Sequence, residues 1–165
     1  GKGYPDLCTR AFLHLLSQIP PPASGALLPS RNPPPVYVLV DSDPDGMAIM
    51  STYKYGSKAQ AHENMNLAVQ SIRWLGLQAS EVVSSGLDLD RHDDDVLIPL
   101  TLRDRKKAQD MLARSPVFAA DEPEPAWRGE LQHMLMSNVK AEIESLYERE
   151  GGIQGWLDRK LQTLI

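Results

Sequence analysis

The most distinctive pattern in the chain is an apolar run that ends directly in acidic residues. Residues 36–40 (VYVLV) are all hydrophobic, and Asp41, Asp43 and Asp45 follow at alternate positions before Gly46. A run of this kind predicts a strand buried on both faces, as in a parallel sheet. Its carboxyl end is the place where open α/β sheets bind their ligands.

The spacing of apolar positions predicts the other elements. It indicates helices at residues 6–18, 46–55, 80–85, 101–113, 127–147 and 153–164, and a second strand at residues 71–75. Ser80 is expected to be an N-cap, and Thr101 with Asp104 has the spacing of a capping box. Apolar residues at a spacing of four make residues 127–147 one long predicted helix. The order of elements indicates an α/β fold.

Proline-rich joints separate these elements. Residues 20–35 hold most of the prolines and predict a flexible surface insertion. A second joint, at residues 121–125, leads into C-terminal helices, which we expect to occupy residues 123–165. The chain shows no internal repeat and no second domain. We therefore interpret residues 1–165 as a single domain.

Composition narrows the class of protein. The chain has 165 residues, of which 42% are hydrophobic and 24% are charged, as is typical of one globular domain. No apolar run is long enough to span a bilayer, and the single cysteine, Cys8, excludes an internal disulfide. The net charge of −5 argues against a wholly basic nucleic-acid surface but leaves room for one basic face.

The acidic loop itself allows several interpretations. Clustered carboxylates are costly unless a cation neutralises them, and hard oxygen ligands suit Mg2+ or Mn2+. An EF-hand is excluded, because Thr52 occupies the position of its final glutamate and a strand precedes the loop. Three interpretations remain: a metal site that handles nucleic-acid phosphates, a stand-alone Mg2+-dependent phosphotransferase or phosphatase with Asp41 as nucleophile, and a solvated turn with helix-capping aspartates. A dimerisation module without catalysis is a further hypothesis.

Five segments, taken in order, resemble one protein family. They are residues 1–6 (GKGYPD), 41–46 (DSDPDG), 53–57 (YKYGS), 72–77 (IRWLGL) and 98–104 (IPLTLRD). Together they resemble the Toprim domain of the A subunits of type IIB topoisomerases, and most closely its eukaryotic branch, the meiotic DNA double-strand-break transesterases. The resemblance runs from residue 1 to about residue 148. The proline-rich insertion favours a eukaryotic, fungal version over a compact archaeal one.

The resemblance implies a Rossmann-like parallel sheet flanked by helices, with additional C-terminal helices. It implies that Asp41 and Asp43, which match the family's Asp-x-Asp pair, bind Mg2+ (or Mn2+) together with a glutamate from an earlier strand. That glutamate, and the winged-helix domain whose tyrosine attacks DNA, would lie upstream of residue 1. We therefore expect the chain to be part of a longer protein and to be inactive alone.

The resemblance also implies an activity and partners. The activity is a tyrosyl transesterification that makes meiotic DNA double-strand breaks and so initiates recombination. The implied partners are double-stranded DNA, a second copy of the protein in an active homodimer, a protein like the B subunit of topoisomerase VI, and other meiotic break-formation proteins. The implied location is the nucleus, on meiotic chromosomes, without a membrane.

Four further residues are candidates for the site. Lys2 is expected to contact a DNA phosphate, because its flanking glycines allow close approach of the backbone. Lys54 and Arg73 are either phosphate contacts or ordinary surface charges. Asp45 departs from the family, which usually has an aromatic residue there. It is either an additional metal ligand or a helix-start residue favoured by the helix dipole, and we favour the second interpretation.

Overall fold

The structure, a computed structural model, describes residues 5–19, 35–57, 67–81, 97–119, 124–147 and 151–164. Within these ranges the helices with defined bounds are α1 (Leu7–Gln18), α2 (Pro44–Tyr55), α3 (Leu102–Arg114), α4 (Pro125–Ser137) and α5 (Gly152–Gln162). The strands are β1 (Tyr37–Leu39), β2 (Arg73–Gly76), β3 (Leu97–Pro99) and β4 (Val139–Ala141), and 3-10 turns occupy Pro116–Phe118 and Ile143–Tyr147. The predicted insertion at residues 20–35 lies almost entirely outside the described residues.

β1 and β2 form a parallel pair, as their backbone hydrogen bonds show. The Arg73 N–H donates to the Val36 carbonyl over 2.9 Å, and the Leu77 N–H donates to the Val40 carbonyl over 2.9 Å. The predicted α/β class and both predicted strands are thus confirmed. β1 is half-buried rather than fully buried, because among the described residues it has one neighbouring strand.

The described chain divides into two compact units. Unit 1 contains residues 1–38 and 48–74, and unit 2 contains residues 39–47 and 75–165. In unit 1 the Val69 N–H donates to the Tyr53 carbonyl over 2.9 Å, and Met50 is fully buried. Unit 2 has its own core of large side chains, namely Leu77, Phe118, Trp127, Leu131, Met134, Leu146 and Trp156. No helix in the described part of the chain is long and apolar enough to cross a membrane.

Hydrogen bonds to side chains mark the start of two helical segments. The Thr101 hydroxyl accepts a hydrogen bond from the Asp104 N–H, and the Asp104 carboxylate accepts one from the Thr101 N–H, each over 3.1 Å. This confirms the predicted capping box. The prediction of Ser80 as an N-cap is wrong, because residues 79–81 are already helical. Instead, the Glu130 carboxylate accepts hydrogen bonds from the Ser80 N–H and hydroxyl, over 2.9 and 2.7 Å.

The prediction of one long helix over residues 127–147 is wrong beyond Ser137. Asn138 adopts the left-handed conformation, with φ 58° and ψ 32°, and so ends α4. The chain then becomes β4, which pairs antiparallel with β3, a strand that the sequence did not predict. The apolar spacing of four continues through Val139 and Ile143, but these residues lie in β4 and at the start of a 3-10 turn. The side chains that are fully buried in this stretch, Ala141 and Leu146, do not belong to that series. The region after residue 123 is therefore not wholly helical.

We expect the left-handed conformation of Asn138 to govern how well this joint tolerates substitution. Asn138→Ala should lower the free energy of unfolding by about 1 kcal/mol, because alanine adopts the left-handed conformation less readily than asparagine. Asn138→Gly should be at least as stable as the wild type, since the Asn138 side-chain oxygen is buried without a hydrogen-bond partner. Chemical denaturation measures both, with Gln132→Ala on the exposed face of α4 as the control. Equal stability of the Ala and Gly variants would contradict this account.

Candidate metal centre

An isolated antiparallel bridge ties the acidic loop to β4. The Ser42 N–H donates to the Ala141 carbonyl over 2.8 Å, and the Ala141 N–H donates to the Ser42 carbonyl over 3.2 Å. Both residues are fully buried, and the Ser42 hydroxyl accepts a hydrogen bond from the Ala79 N–H over 2.9 Å. Because side chains alternate along an extended segment, Asp41 and Asp43 lie on the opposite side of the bridge from the Ser42 side chain.

Each of these two aspartates is fixed through one carboxylate oxygen. The Asp41 Oδ1 atom accepts a hydrogen bond from the Ile143 N–H over 2.9 Å. The Asp43 Oδ1 atom accepts one from the Gly46 N–H over 2.6 Å, which is the contact made by an N-cap residue, with Pro44 as the first residue of α2. In the described structure the second oxygen of each carboxylate has no hydrogen-bond or ion-pair partner. The sequence pattern indicated Asp45 for the helix start, whereas Asp43 makes the capping bond.

Gly46 allows the loop to close upon itself. A Cβ atom at this position would lie 2.3 Å from the Asp41 carbonyl oxygen, which is far closer than real Cβ contacts. The glycine of the Asp-x-Asp-x-Asp-Gly pattern is thus required by the close approach of α2 to the end of β1. It holds Asp41 and Asp43 in one tight turn.

The site disfavours negative charge on both aspartates. Burial raises the pKa of Asp41 above its usual value, and the charges of Glu144 and Glu142 raise it further, against the Ile143 hydrogen bond and the charge of Lys140. Burial also raises the pKa of Asp43, to which the charge of Asp41 adds. A bound cation would relieve both effects, because it favours the ionised carboxylates.

The third aspartate is engaged elsewhere. Asp45 forms an ion pair with Lys107 of α3, and both side chains are partly exposed. It stands in the first turn of α2, where the helix dipole favours a negative charge. These observations favour the helix-start interpretation of Asp45 over metal ligation.

The sequence pattern did not indicate two charged residues of the site. Lys140 Nζ lies 3.4 Å from Asp104 Oδ2 and 4.0 Å from Glu142 Oε1. Lys140 and Glu142 flank Ala141, so the bridge places them beside the acidic loop. Both were expected within a long helix. Asn138 followed by β-branched Val139 was the available signal for a break.

Two carboxylates are a suitable kind and number of protein ligands for Mg2+ or Mn2+. Among the described residues no group of three or more His, Cys, Asp or Glu side chains is placed to hold a metal ion. Mg2+ is commonly bound through one or two carboxylates and keeps several water molecules. Asp41 and Asp43, each with one oxygen held by a backbone N–H, suit that coordination, and the glutamate implied by the resemblance would add to it.

The three predicted DNA contacts are not among the residues that form the acidic site in the described structure. Lys2 lies outside the described residues. Lys54 and Arg73 belong to unit 1, whereas the aspartates belong to unit 2. Lys54 Nζ lies 5.7 Å from the centre of the Tyr55 ring, and Arg73 is exposed at the first position of β2. Their role as phosphate contacts remains a prediction.

A parallel strand pair in which β1 leads directly into Asp41 and Asp43 is consistent with the fold of a Toprim domain. The family model of the Toprim domain shared by the topoisomerase 6 A chain and Spo11 (TOP6A-Spo11 Toprim) matches residues 1–161. The chain belongs to this family, as its sequence segments predicted. Toprim domains generally bind divalent metal ions, so the family and the geometry of the aspartates agree.

Curated relatives support the same assignment. Meiotic recombination protein W68 of Drosophila melanogaster is 35% identical over 148 residues, which are 90% of this chain and 37% of that protein. Meiotic recombination protein SPO11-1 of Oryza sativa subsp. indica is 40% identical over 146 residues, with 88% and 33% covered. Meiotic recombination protein SPO11 of Homo sapiens is 39% identical over 146 residues, with 88% and 32% covered. The chain spans about a third of the length of these relatives.

We expect Asp41→Asn to raise the melting temperature at neutral pH in metal-free buffer. The folded-state pKa of Asp41 lies above the ordinary value of 3.8, so ionisation costs stability. This cost is complete above the folded pKa and vanishes below the unfolded one, so the gain should shrink as the pH falls. Asparagine keeps an oxygen that can accept the Ile143 N–H.

Asp104→Asn is the matched control with the opposite sign. Burial raises the pKa of Asp104, but hydrogen bonds from Thr101 and the charge of Lys140 outweigh it and lower the pKa below 3.8. The ionised Asp104 carboxylate therefore stabilises the fold at pH values above its unfolded pKa. This contribution is lost as the pH falls through the folded pKa. Asp104→Asn should lower the melting temperature at neutral pH. A lower melting temperature for Asp41→Asn at pH 7 would contradict the charge penalty at the site.

Proposed function

We propose that the chain is the Mg2+-binding Toprim part of a topoisomerase-like, type IIB DNA transesterase that makes meiotic double-strand breaks. One observation carries the proposal: Asp41 and Asp43 are both fixed by backbone N–H groups, and each keeps a second oxygen for a cation. Membership of the TOP6A-Spo11 Toprim family supports the chemistry. The names of the relatives, meiotic recombination proteins, support the biological role.

The aspartates would hold the metal, and the rest of the loop would keep them ready for it. A bound Mg2+ or Mn2+ would stabilise the negative charge that develops on the reacting phosphate. The N–H groups of Ile143 and Gly46 hold the two carboxylates in place before an ion arrives, which lowers the cost of organising the site. Asp45, paired with Lys107, adds no ligand in this proposal.

The reaction would be an exchange of phosphodiesters. A tyrosine hydroxyl from a winged-helix domain outside this chain would attack a DNA phosphate. Its oxygen would bond to phosphorus and give up its proton as the bond to the 3′ oxygen breaks. The 3′ oxygen would take up a proton and leave as a hydroxyl, and the tyrosine would remain linked to the 5′ phosphate. Two protomers would form each composite site, one supplying the tyrosine and the other the Asp41/Asp43 pair.

The proposal includes partners and a location. Double-stranded DNA would be the substrate, with Lys2, Lys54 and Arg73 as phosphate contacts that position it without reading sequence. The active assembly would be a homodimer that works with a protein like the B subunit of topoisomerase VI and with other break-formation proteins, on meiotic chromosomes in the nucleus.

We predict weak divalent-ion binding that depends on the aspartate pair. The chain should bind Mn2+ measurably in calorimetry or water-proton relaxation, and the Asp41→Asn/Asp43→Asn double variant should lose that binding. Asp45→Asn is the matched control and should bind like the wild type, because its carboxylate pairs with Lys107. Equal binding by the wild type and the double variant would show that the loop is only a turn.

We predict that cleavage in the intact protein requires Asp43 but not Asp45. Asp43→Asn should abolish the formation of protein-linked DNA ends. Asp45→Tyr should leave cleavage nearly intact and cost at most about 1 kcal/mol of stability through the lost dipole interaction. The measurement is a Mg2+ titration of DNA cleavage. A shift of the Asp45→Tyr titration to much higher Mg2+ would show that Asp45 is a ligand after all.

The same assays separate the proposal from the phosphotransferase alternative. This chain alone, incubated with supercoiled DNA and Mg2+, should give neither nicks nor covalent adducts, because it supplies half of a composite site. Mg2+-dependent phosphatase activity that disappears in Asp41→Asn would overturn the transesterase proposal in favour of an aspartate nucleophile.

A further inference from the structure

We propose that Lys140 is the counter-charge of the Asp41/Asp43 pair, which means that its ammonium partly neutralises the two carboxylates in the metal-free protein. The same positive charge lowers the affinity of the pair for divalent cations. The affinity role rests on the proposed function, whereas the counter-charge role is tested without any metal. Nothing in the sequence pattern indicated this residue, and its importance follows from its place opposite the acidic loop.

The register of the bridge places Lys140 at the loop. The bridge between Ser42 and Ala141 is isolated, and its antiparallel direction puts Asp43 on the Lys140 side and Asp41 on the Glu142 side. Ser42 and Ala141 exchange both of their hydrogen bonds, so the two segments run side by side at this point. Ser42 and Ala141 are buried on one side, which leaves Asp41, Asp43 and Lys140 together on the other.

Asp104 fixes the position of the Lys140 ammonium. The distance from Lys140 Nζ to Asp104 Oδ2 is 3.4 Å, and the Lys140 side chain is only 15% exposed. Asp104 is itself held at the start of α3 by its two hydrogen bonds with Thr101. The ammonium is therefore anchored at the edge of the acidic loop by a residue of another element, and it acts on the aspartates through its charge.

The charge balance at the bridge explains what Lys140 would do. Its ammonium lies beside the acidic loop and offsets part of the negative charge there. Four carboxylates, those of Asp41, Asp43, Asp104 and Glu142, share this one ammonium. Without metal, Lys140 reduces the repulsion among them. When a divalent cation approaches, the same positive charge opposes its binding. Lys140 would thus stabilise the metal-free loop and make metal binding weaker and more reversible.

A double-mutant cycle in chelator tests the counter-charge role. Lys140→Met should lower the melting temperature, and the Asp43→Asn background should suppress part of that loss, because one of the unbalanced charges is gone while the lost ion pair with Asp104 costs the same in both backgrounds. Lys160→Met is the matched control: its ammonium lies 2.5 and 2.6 Å from the two oxygens of Glu81, so its effect should be the same in both backgrounds. Additive effects of Lys140→Met and Asp43→Asn would overturn the proposal.

The cycle remains decisive if a variant folds poorly. A Lys140→Met chain that folds only in the Asp43→Asn background would be the strongest form of the expected result. Failure to fold in both backgrounds would assign Lys140 a packing role and overturn the counter-charge. Lys140→Arg, which keeps the charge, should resemble the wild type.

A Mn2+ titration tests the affinity role. Lys140→Met should bind Mn2+ severalfold more tightly than the wild type, while Lys140→Arg and Lys160→Met should match the wild type. Equal affinity of Lys140→Met and the wild type would overturn the affinity role and leave the proposed function standing. A wild type that binds no Mn2+ would overturn the proposed function and, with it, the affinity role, and the thermal cycle would then decide the counter-charge by itself.

Discussion

The two hydrogen bonds between Ser42 and Ala141 are the interaction on which the acidic site depends. They join the loop after β1 to β4, and they set which residues of the two segments face one another. If this pairing were lost, Asp41 would lose its contact with the Ile143 N–H, and Lys140 would no longer lie opposite Asp43. A one-residue slip in the register would bury the charged residues and expose Ser42 and Ala141. The observed register is therefore strongly favoured over its neighbours.

At this site the requirements of stable folding and of metal binding conflict. Asp41 and Asp43 are half-buried, and their carboxylates resist ionisation for that reason, yet a metal ligand must be ionised. The structure offsets the cost locally through backbone N–H donors and the charge of Lys140. A site of this kind is less stable than an uncharged turn would be, as is usual where a fold carries chemistry.

The sequence predicted the elements whose signals are local and missed those that depend on distant partners. The capping box of Thr101 and Asp104 and the strand that leads to Asp41 are encoded within a few residues, and five short segments sufficed to indicate the family. β4 was missed because its apolar residues continue the spacing of α4 and only pairing with β3 makes it a strand. Lys140 was missed for the same reason, since its proximity to Asp43 follows from register rather than from sequence neighbours.

The contact between Asp41 and Ile143 also bears on the order in which the molecule assembles. These residues are 102 positions apart in the chain, and Asp45 and Lys107 are 62 positions apart. Contacts across such long loops cost chain entropy and form slowly compared with helices. We therefore expect the carboxylates to be brought together late, once α3 and α4 are in place. A newly made chain would pass through most of its folding without this concentrated charge, and a divalent ion would find its site only in a nearly native protein.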